Sequence, residues 1–242
     1  MYETDTLASQ YCEFHYGDSY FEVENFPKAI ATLASKYTTN NNRALDIGCA
    51  VGRATFELAK NFDSVDGLDY SQNFIDIANR IKEKEYIKFM NITEGDLHSH
   101  KTVKLADLDL CPSNKNTNFH QQDAMNMDSS FTNYDLVIAV NLIDRLHTPT
   151  QFLEDIKSRI NKDGILLIAS PYTWLEEFTP KENWLGGYRK DGVDVGTLDG
   201  LKENLDDTFE LLEEPQKVPF VIKETIHKYQ HTLSEVTIWK KR

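Results

Sequence analysis

The chain has 242 residues, enough for one α/β domain with a sizeable core, and its 40 % hydrophobic and 27 % charged residues exclude general disorder. Lys and Arg number 26 against 39 Asp and Glu, a net charge of −13 that repels phosphate backbones and anionic bilayers. No nucleic acid and no membrane are therefore expected as partners, and a small molecule is. Cys12, Cys49 and Cys111 are odd in number and far apart, which suits a reducing compartment. The acidic amino terminus lacks a signal peptide's basic and apolar regions, and no apolar run nears the ~20 residues of a membrane span. A cytoplasmic location is expected.

In chain order, helices are expected before residue 40, and the polar run TTNNN at 38–42 is expected to be a loop. Residues 43–48 (RALDIG) form a short buried strand, and 53–61 carry helical apolar spacing. A second strand covers 64–69 and a second helix 71–83, with Ser71 as N-cap and Phe74, Ile75, Ala78 and Ile81 as its apolar stripe. Residues 90–110 exceed what the fold requires, with a turn expected at 91–96 between short strands. A polar loop at 113–118 leads into a third strand at 118–122. Apolar strands at 134–140 and 164–170 flank a helix at 151–160 that follows the start signal Pro149. Unalternating apolar strands separated by helices imply a doubly wound parallel sheet. Residues 218–223 and 229–240 are too close in sequence for a parallel crossover and must pair as an antiparallel hairpin. The expected organisation is a single domain over 1–242, with lid helices in 1–40, an insertion over 90–117 and a substrate-side cover over 171–205.

The first strand runs into Asp46-Ile47-Gly48-Cys49-Ala50-Val51-Gly52. Gly48 and Gly52 permit a sharp turn and close backbone approach to a ligand, with Cys49 as a small filler between them. Asp46 can accept from a cationic amino group. A dehydrogenase would show G-x-G-x-x-G, whereas here G-x-x-x-G follows an Asp. Asp69, beside Tyr70, ends the second strand, where a carboxylate takes both hydroxyls of a ribose. Asp123 and Ala124 follow the third strand, where an acid accepts from an adenine amino group. Three acids at the carboxyl ends of successive strands favour an adenosyl ligand. His98 with His100 and His227 with His231 have no third ligand in view, so no metal is expected.

This order of motifs resembles the class I methyltransferases, which implies S-adenosyl-L-methionine as cofactor and a Rossmann-like sheet, mostly parallel, with a C-terminal antiparallel hairpin. The sequence departs from that family at Ala50, where a third glycine is common. The resemblance implies that Asp46 and Gly48 face the methionine end, Asp69 the ribose, and Asp123 and Ala124 the adenine, with Asn141 near the transferring methyl. The runs Tyr2-Glu3-Thr4-Asp5, Phe14-His15-Tyr16-Gly17, the residues 170–180 (SPYTWLEEFTP), Trp184-Leu185-Gly186-Gly187 and 228–235 (KYQHTLSE) resemble the methyltransferases of ovothiol biosynthesis. That family methylates an imidazole nitrogen of 5-thiohistidine and often occurs fused to a sulfoxide synthase. The resemblance implies a stand-alone enzyme here, with a separate sulfoxide synthase as functional partner.

An amino-acid acceptor needs groups for its carboxylate and ammonium. Arg145 can fork onto a carboxylate, and Asp144 can take an ammonium or a ring N–H. Tyr172 and Trp174 can wall a ring or pack beneath a cover loop. Tyr11, His15 and Tyr16 lie where a lid would close, His15 as a base or as a capping histidine. Asn141, Asp144 and Tyr16 are the catalytic candidates; Arg145, Tyr172, Trp174 and His15 are the acceptor-binding ones. Another small thiol or imidazole metabolite, or a non-catalytic cofactor-binding subunit of a sulfur-inserting enzyme, are the alternative readings.

Overall fold

A computed structural model of the chain describes residues 5–111 and 115–242. Tyr2, Glu3 and Thr4, and the first two residues of the loop expected at 113–118, lie outside the described residues. In chain order the helices are α1 (Asp5–Tyr16), α2 (Phe26–Ser35), α3 (Arg53–Leu58), α4 (Gln72–Lys84), α5 (Pro149–Arg159) and α6 (Thr197–Leu205). The strands are β1 (Arg43–Ile47), β2 (Ser64–Asp69), β3 (Tyr86–Glu94), β4 (Leu97–Lys104), β5 (Thr117–Gln121), β6 (Tyr134–Val140), β7 (Ile160–Ser170), β8 (Tyr188–Lys190), β9 (Val193–Val195), β10 (Phe209–Leu211), β11 (Gln216–Lys223) and β12 (Tyr229–Lys241).

Eight strands form one sheet in the order β10-β12-β7-β6-β1-β2-β5, and β11 also pairs with β12. The five from β5 to β7 run parallel, and β12 runs antiparallel to β7, β10 and β11. Both faces are covered, as the apolar strands require. Ile30 and Ala34 of α2 and Leu58 of α3 cover Ala44, Val65, Ile138 and Leu167 on one face. Phe152 and Ile156 of α5 and Leu201 and Leu205 of α6 cover Leu45, Val137 and Leu166 on the other. Successive residues such as Ala44 and Leu45 thus serve opposite layers, the period of two that a strand imposes. The doubly wound α/β sheet with its antiparallel hairpin is the architecture expected from the sequence.

The helix ends follow local chemistry. Ser71 Oγ accepts from the Phe74 N–H at 3.3 Å and starts α4, and Pro149 stands in the first turn of α5. The helix expected over 53–61 stops at Leu58. The Lys60 and Asn61 N–H groups bond back three residues, to Glu57 and Leu58, so the chain tightens out of the α-helix. Residues 91–94, expected in a turn, are strand. They pair with residues 97–99 of β4 around a two-residue turn at Gly95 and Asp96. This β3–β4 hairpin packs against α1, where Asn91 Nδ2 donates to the buried Glu13 carboxylate at 3.1 Å and Lys101 pairs with Asp18 at 2.7 Å. Among the described residues, no helix is long and apolar enough to cross a membrane.

Candidate active site

The carboxyl ends of β1, β2 and β6 and the segment after β5 open into a cavity of about 760 Å³, within the ~300–1,000 Å³ usual for small-molecule sites. It brings together Asp46, Gly48, Cys49, Asp69, Tyr70, Asp123, Ala124, Asn141, Asp144, Arg145 and His15. It is also walled by Phe14, by Phe26 and Ile30 of α2, and by Phe220, Ile222, Gln230 and Thr232 of the terminal hairpin.

The glycine turn depends on Asp69 as much as on its glycines. Gly48, Ala50 and Gly52 have φ of +78°, +46° and +87°. An alanine in the left-handed region is uncommon. Here the Ala50 N–H donates to Asp69 Oδ2 at 2.9 Å, while Asp69 Oδ1 accepts from the Ser71 N–H at 2.9 Å. Asp69 thus holds the turn while standing in the cavity wall. A Cβ on Gly48 would meet only Leu142, at an ordinary 3.6 Å, so the turn rather than crowding requires glycine there. Gly52 is not in the cavity wall. A Cβ there would stand 2.7 Å from the Phe119 ring, so close helix–strand packing accounts for this glycine.

Asp46 is 2 % exposed, and its Oδ2 accepts from Thr55 Oγ1 at 2.7 Å. Burial raises its pKa to about 7, the Thr55 hydrogen bond opposing and the Asp69 charge adding to the rise. Asp123 is exposed, and its Oδ1 accepts from the Met125 N–H at 2.8 Å. Thr55 was not singled out from the sequence; its only signal was its place one turn into the helix after the glycine loop.

His15 is a cap. Its Nδ1 accepts from the Arg53 N–H at 3.4 Å at the start of α3, and Arg53 Nη1 donates to the His15 carbonyl at 3.2 Å. Burial, followed by the Arg53 charge, lowers its pKa to about 3, so the ring is neutral and Nε2 carries the hydrogen. The ring that lines the cavity is thus neutral, with its Nδ1 already engaged. Tyr16, expected near the chemistry, is fully buried outside the wall and donates to the Val51 carbonyl at 2.7 Å. Consecutive helical residues point about 100° apart, so only one of the pair reaches the cavity.

Asp144 and Arg145 tie the end of β6 to the segment after β7. Asp144 Oδ2 accepts from the Thr173 N–H at 2.9 Å and from Arg145 Nη1 at 3.2 Å, and Arg145 Nη1 also donates to the Thr173 carbonyl at 2.9 Å. The Asp144 carboxyl is pushed up by burial, with the Arg145 charge opposing. The Arg145 guanidinium lies 4.8 Å over the Phe178 ring. Tyr172 and Trp174 are not in the wall. Tyr172 packs on the core, and its hydroxyl is pushed up by burial and by the nearby Glu235 carboxylate. Trp174 is 8 % exposed, donates to Thr197 Oγ1 at 2.9 Å and stacks on Trp184, so it is packing beneath the cover. Their chain neighbours Pro171 and Thr173 line the cavity instead.

The wall carries four carboxylates, from Asp46, Asp69, Asp123 and Asp144, and among the described residues Arg145 is its one Lys or Arg. Such a wall suits a cationic, hydroxyl-bearing ligand and disfavours a pyrophosphate. S-adenosylmethionine, with a sulfonium, an ammonium and a ribose diol, fits that donor set. Among the described residues, no three His, Cys, Asp or Glu side chains form a metal set.

A family model described as a methyltransferase domain matches residues 21–209. The chain is 25 % identical over 162 residues to EEF1A lysine methyltransferase 2 of Danio rerio, covering 66 % of this chain and 61 % of that protein. It is 22 % identical over 201 residues to a malonyl-(acyl-carrier protein) O-methyltransferase of Halalkalibacterium halodurans, covering 79 % and 64 %. The chain thus spans less than two thirds of the length of these curated relatives. Its fold matches that of magnesium protoporphyrin IX methyltransferase from Synechocystis PCC 6803, solved with bound S-adenosylmethionine, with a TM-score of 0.59 at 14 % identity, covering 100 % of this chain and 94 % of that one.

Proposed function

The chain belongs to the methyltransferase-domain family, with S-adenosylmethionine as its cofactor, and from that premise we propose that the protein methylates an imidazole nitrogen of 5-thiohistidine, the last step of ovothiol formation. One observation carries the choice of acceptor. The runs that resemble the ovothiol methyltransferases lie far apart in sequence, yet Phe14 and His15, Pro171 and Thr173, and Gln230 and Thr232, drawn from three of them, line one cavity. The sulfur of such an acceptor must be installed beforehand by a sulfur-inserting enzyme, for which a separate sulfoxide synthase is the proposed partner.

S-adenosylmethionine supplies a methyl carbon on a sulfonium, whose leaving group is already a neutral thioether. A neutral imidazole nitrogen of the thiolate attacks with its own lone pair, and the proton of the other ring nitrogen is then released. No side chain needs to remove a proton first, so the chain's work is positioning and exclusion of water. Asp46, with a pKa near 7, becomes a full carboxylate when a ligand ammonium stands beside it. Asp69 faces the ribose hydroxyls, with Asp123 and Ala124 beside the adenine. Arg145 offers its outer N–H groups to the acceptor's carboxylate, and Phe14, Phe26 and Phe220 keep water from the reacting atoms.

The test is incubation of the protein with S-adenosylmethionine and 5-thiohistidine, with the product examined by mass spectrometry and NMR. A singly N-methylated thiohistidine is expected, with histidine itself unmodified. Methylation of histidine but not of its thiol derivative would overturn this choice of acceptor.

A further inference from the structure

The end of β6 carries a side chain whose orientation is fixed from a distant strand. Asn141 has a left-handed φ of +50°, and its N–H donates to the Ala169 carbonyl at 2.7 Å. Its Oδ1 accepts from Ser234 Oγ at 2.7 Å, across 93 residues of sequence. Ser234 lies on β12 with no exposed surface, so it reaches no ligand itself. With the amide oxygen engaged, the NH2 group is the end of Asn141 left for the cavity it lines. β6 stands between β1, which carries Asp46, and β7, beyond which the hairpin brings Gln230 and Thr232 to the wall. Asn141 therefore lies on the boundary between the carboxylate side and the hairpin side.

An amide NH2 at that boundary needs an acceptor atom on the ligand. It cannot hold the attacking ring nitrogen, whose lone pair must stay free. In 5-thiohistidine the remaining acceptors are the carboxylate, which the reading above gives to Arg145, and the sulfur, the better nucleophile and the one that must be kept from the methyl group. We propose that Ser234 is a positioning residue that orients the Asn141 amide so that its NH2 binds the acceptor's anionic sulfur and directs methylation to nitrogen. This rests on 5-thiohistidine being the acceptor.

The test compares the wild type with Ser234→Ala and Asn141→Asp for acceptor KM, for the ratio of N- to S-methylated product, and for S-adenosylhomocysteine affinity. Ser234→Ala should raise the acceptor KM about tenfold, the scale of one charge-assisted hydrogen bond, and S-methylated product should appear. Asn141→Asp, the same size but presenting a carboxylate, should shift both further. S-adenosylhomocysteine affinity should stay within about twofold, showing that the variants are folded and that the amide serves the acceptor. An unaltered KM and product ratio in both variants would overturn the assignment. So would a loss of S-adenosylhomocysteine affinity at unchanged acceptor KM, which would place the amide on the cofactor. Absence of turnover by the wild type would fall on the acceptor reading and take the sulfur clamp with it, whereas turnover with an unmoved ratio falls on the clamp alone.

Discussion

The two sides of the cavity are built by different means. On the β1–β2–β5 side each acid stands at or just past its own strand end, and its partners, Ala50 for Asp69 included, lie within 19 residues in sequence. Asp46 bonds Thr55 nine residues on, Asp69 bonds Ser71 two residues on, and Asp123 bonds Met125. On the β6–β12 side the main supports are tertiary. Asn141 is set by Ser234, and Thr173 is held by Asp144. The first side is a local device that many sequences can carry; the second exists only when the whole chain has folded. Under the proposed function, cofactor recognition falls to the former and acceptor choice to the latter.

The largest way to break this division is to remove a support of the tertiary side. Trp174→Ala should cost about 3–5 kcal/mol of stability, the scale of truncating a buried aromatic, measured by denaturant unfolding. Below the transition, the folded fraction should bind S-adenosylhomocysteine as the wild type does. Full stability with lost turnover would instead put Trp174 against the acceptor.

Asp69→Ala attacks the local side. It removes an acceptor from the Ala50 and Ser71 N–H groups and from the ligand, so cofactor affinity should fall by about 3 kcal/mol, roughly a hundredfold, in calorimetric titration. Acceptor KM at saturating cofactor should move far less. Unchanged cofactor affinity would remove Asp69 from the site.

How much was legible follows the same line. The strands could be read because both-face burial leaves unbroken apolar runs such as residues 134–140, and the acids because each stands at or just past a strand end. The choice between His15 and Tyr16, or between Thr173 and its neighbours Tyr172 and Trp174, depends on which face of an element turns inward. Residue type carries no signal for that, and the large aromatics that drew attention went to the core. Gln230 and Thr232 were within a quoted run, but only the pairing of β12 with β7 and β11 sets the face they present. The loop glycines were visible, yet Gly52 serves Phe119 rather than a ligand.

Asp46→Asn sharpens the local side through pH. The folded carboxyl titrates near 7 against 3.8 for the ordinary group, so between those values the folded chain holds a proton that the unfolded chain has lost. Its contribution is full below about pH 4 and is lost as pH rises through 7. The ligand-free Asn variant should therefore be more stable than the wild type at pH 8, by about 1–3 kcal/mol in thermal unfolding. Its S-adenosylhomocysteine affinity should be weaker and lack the rise from pH 6 to 8 expected of the wild type. A parallel pH dependence in both proteins would count against Asp46 as the ammonium partner.

The smallest expected effect is at Arg145. Part of its guanidinium is already held by Thr173 and Asp144, so Arg145→Ala should raise acceptor KM by about tenfold, with cofactor affinity unchanged. The reverse pattern would move Arg145 to the cofactor side.

The most direct test of the division is calorimetric titration of the protein with S-adenosylhomocysteine, followed by titration of that complex with 5-thiohistidine and, separately, with histidine. The expected result is micromolar binding of S-adenosylhomocysteine, then binding of 5-thiohistidine much tighter than that of histidine. Equal affinities for the two acceptors, or no binding of either to a complex that forms normally, would contradict an acceptor side built for the thiolated ring.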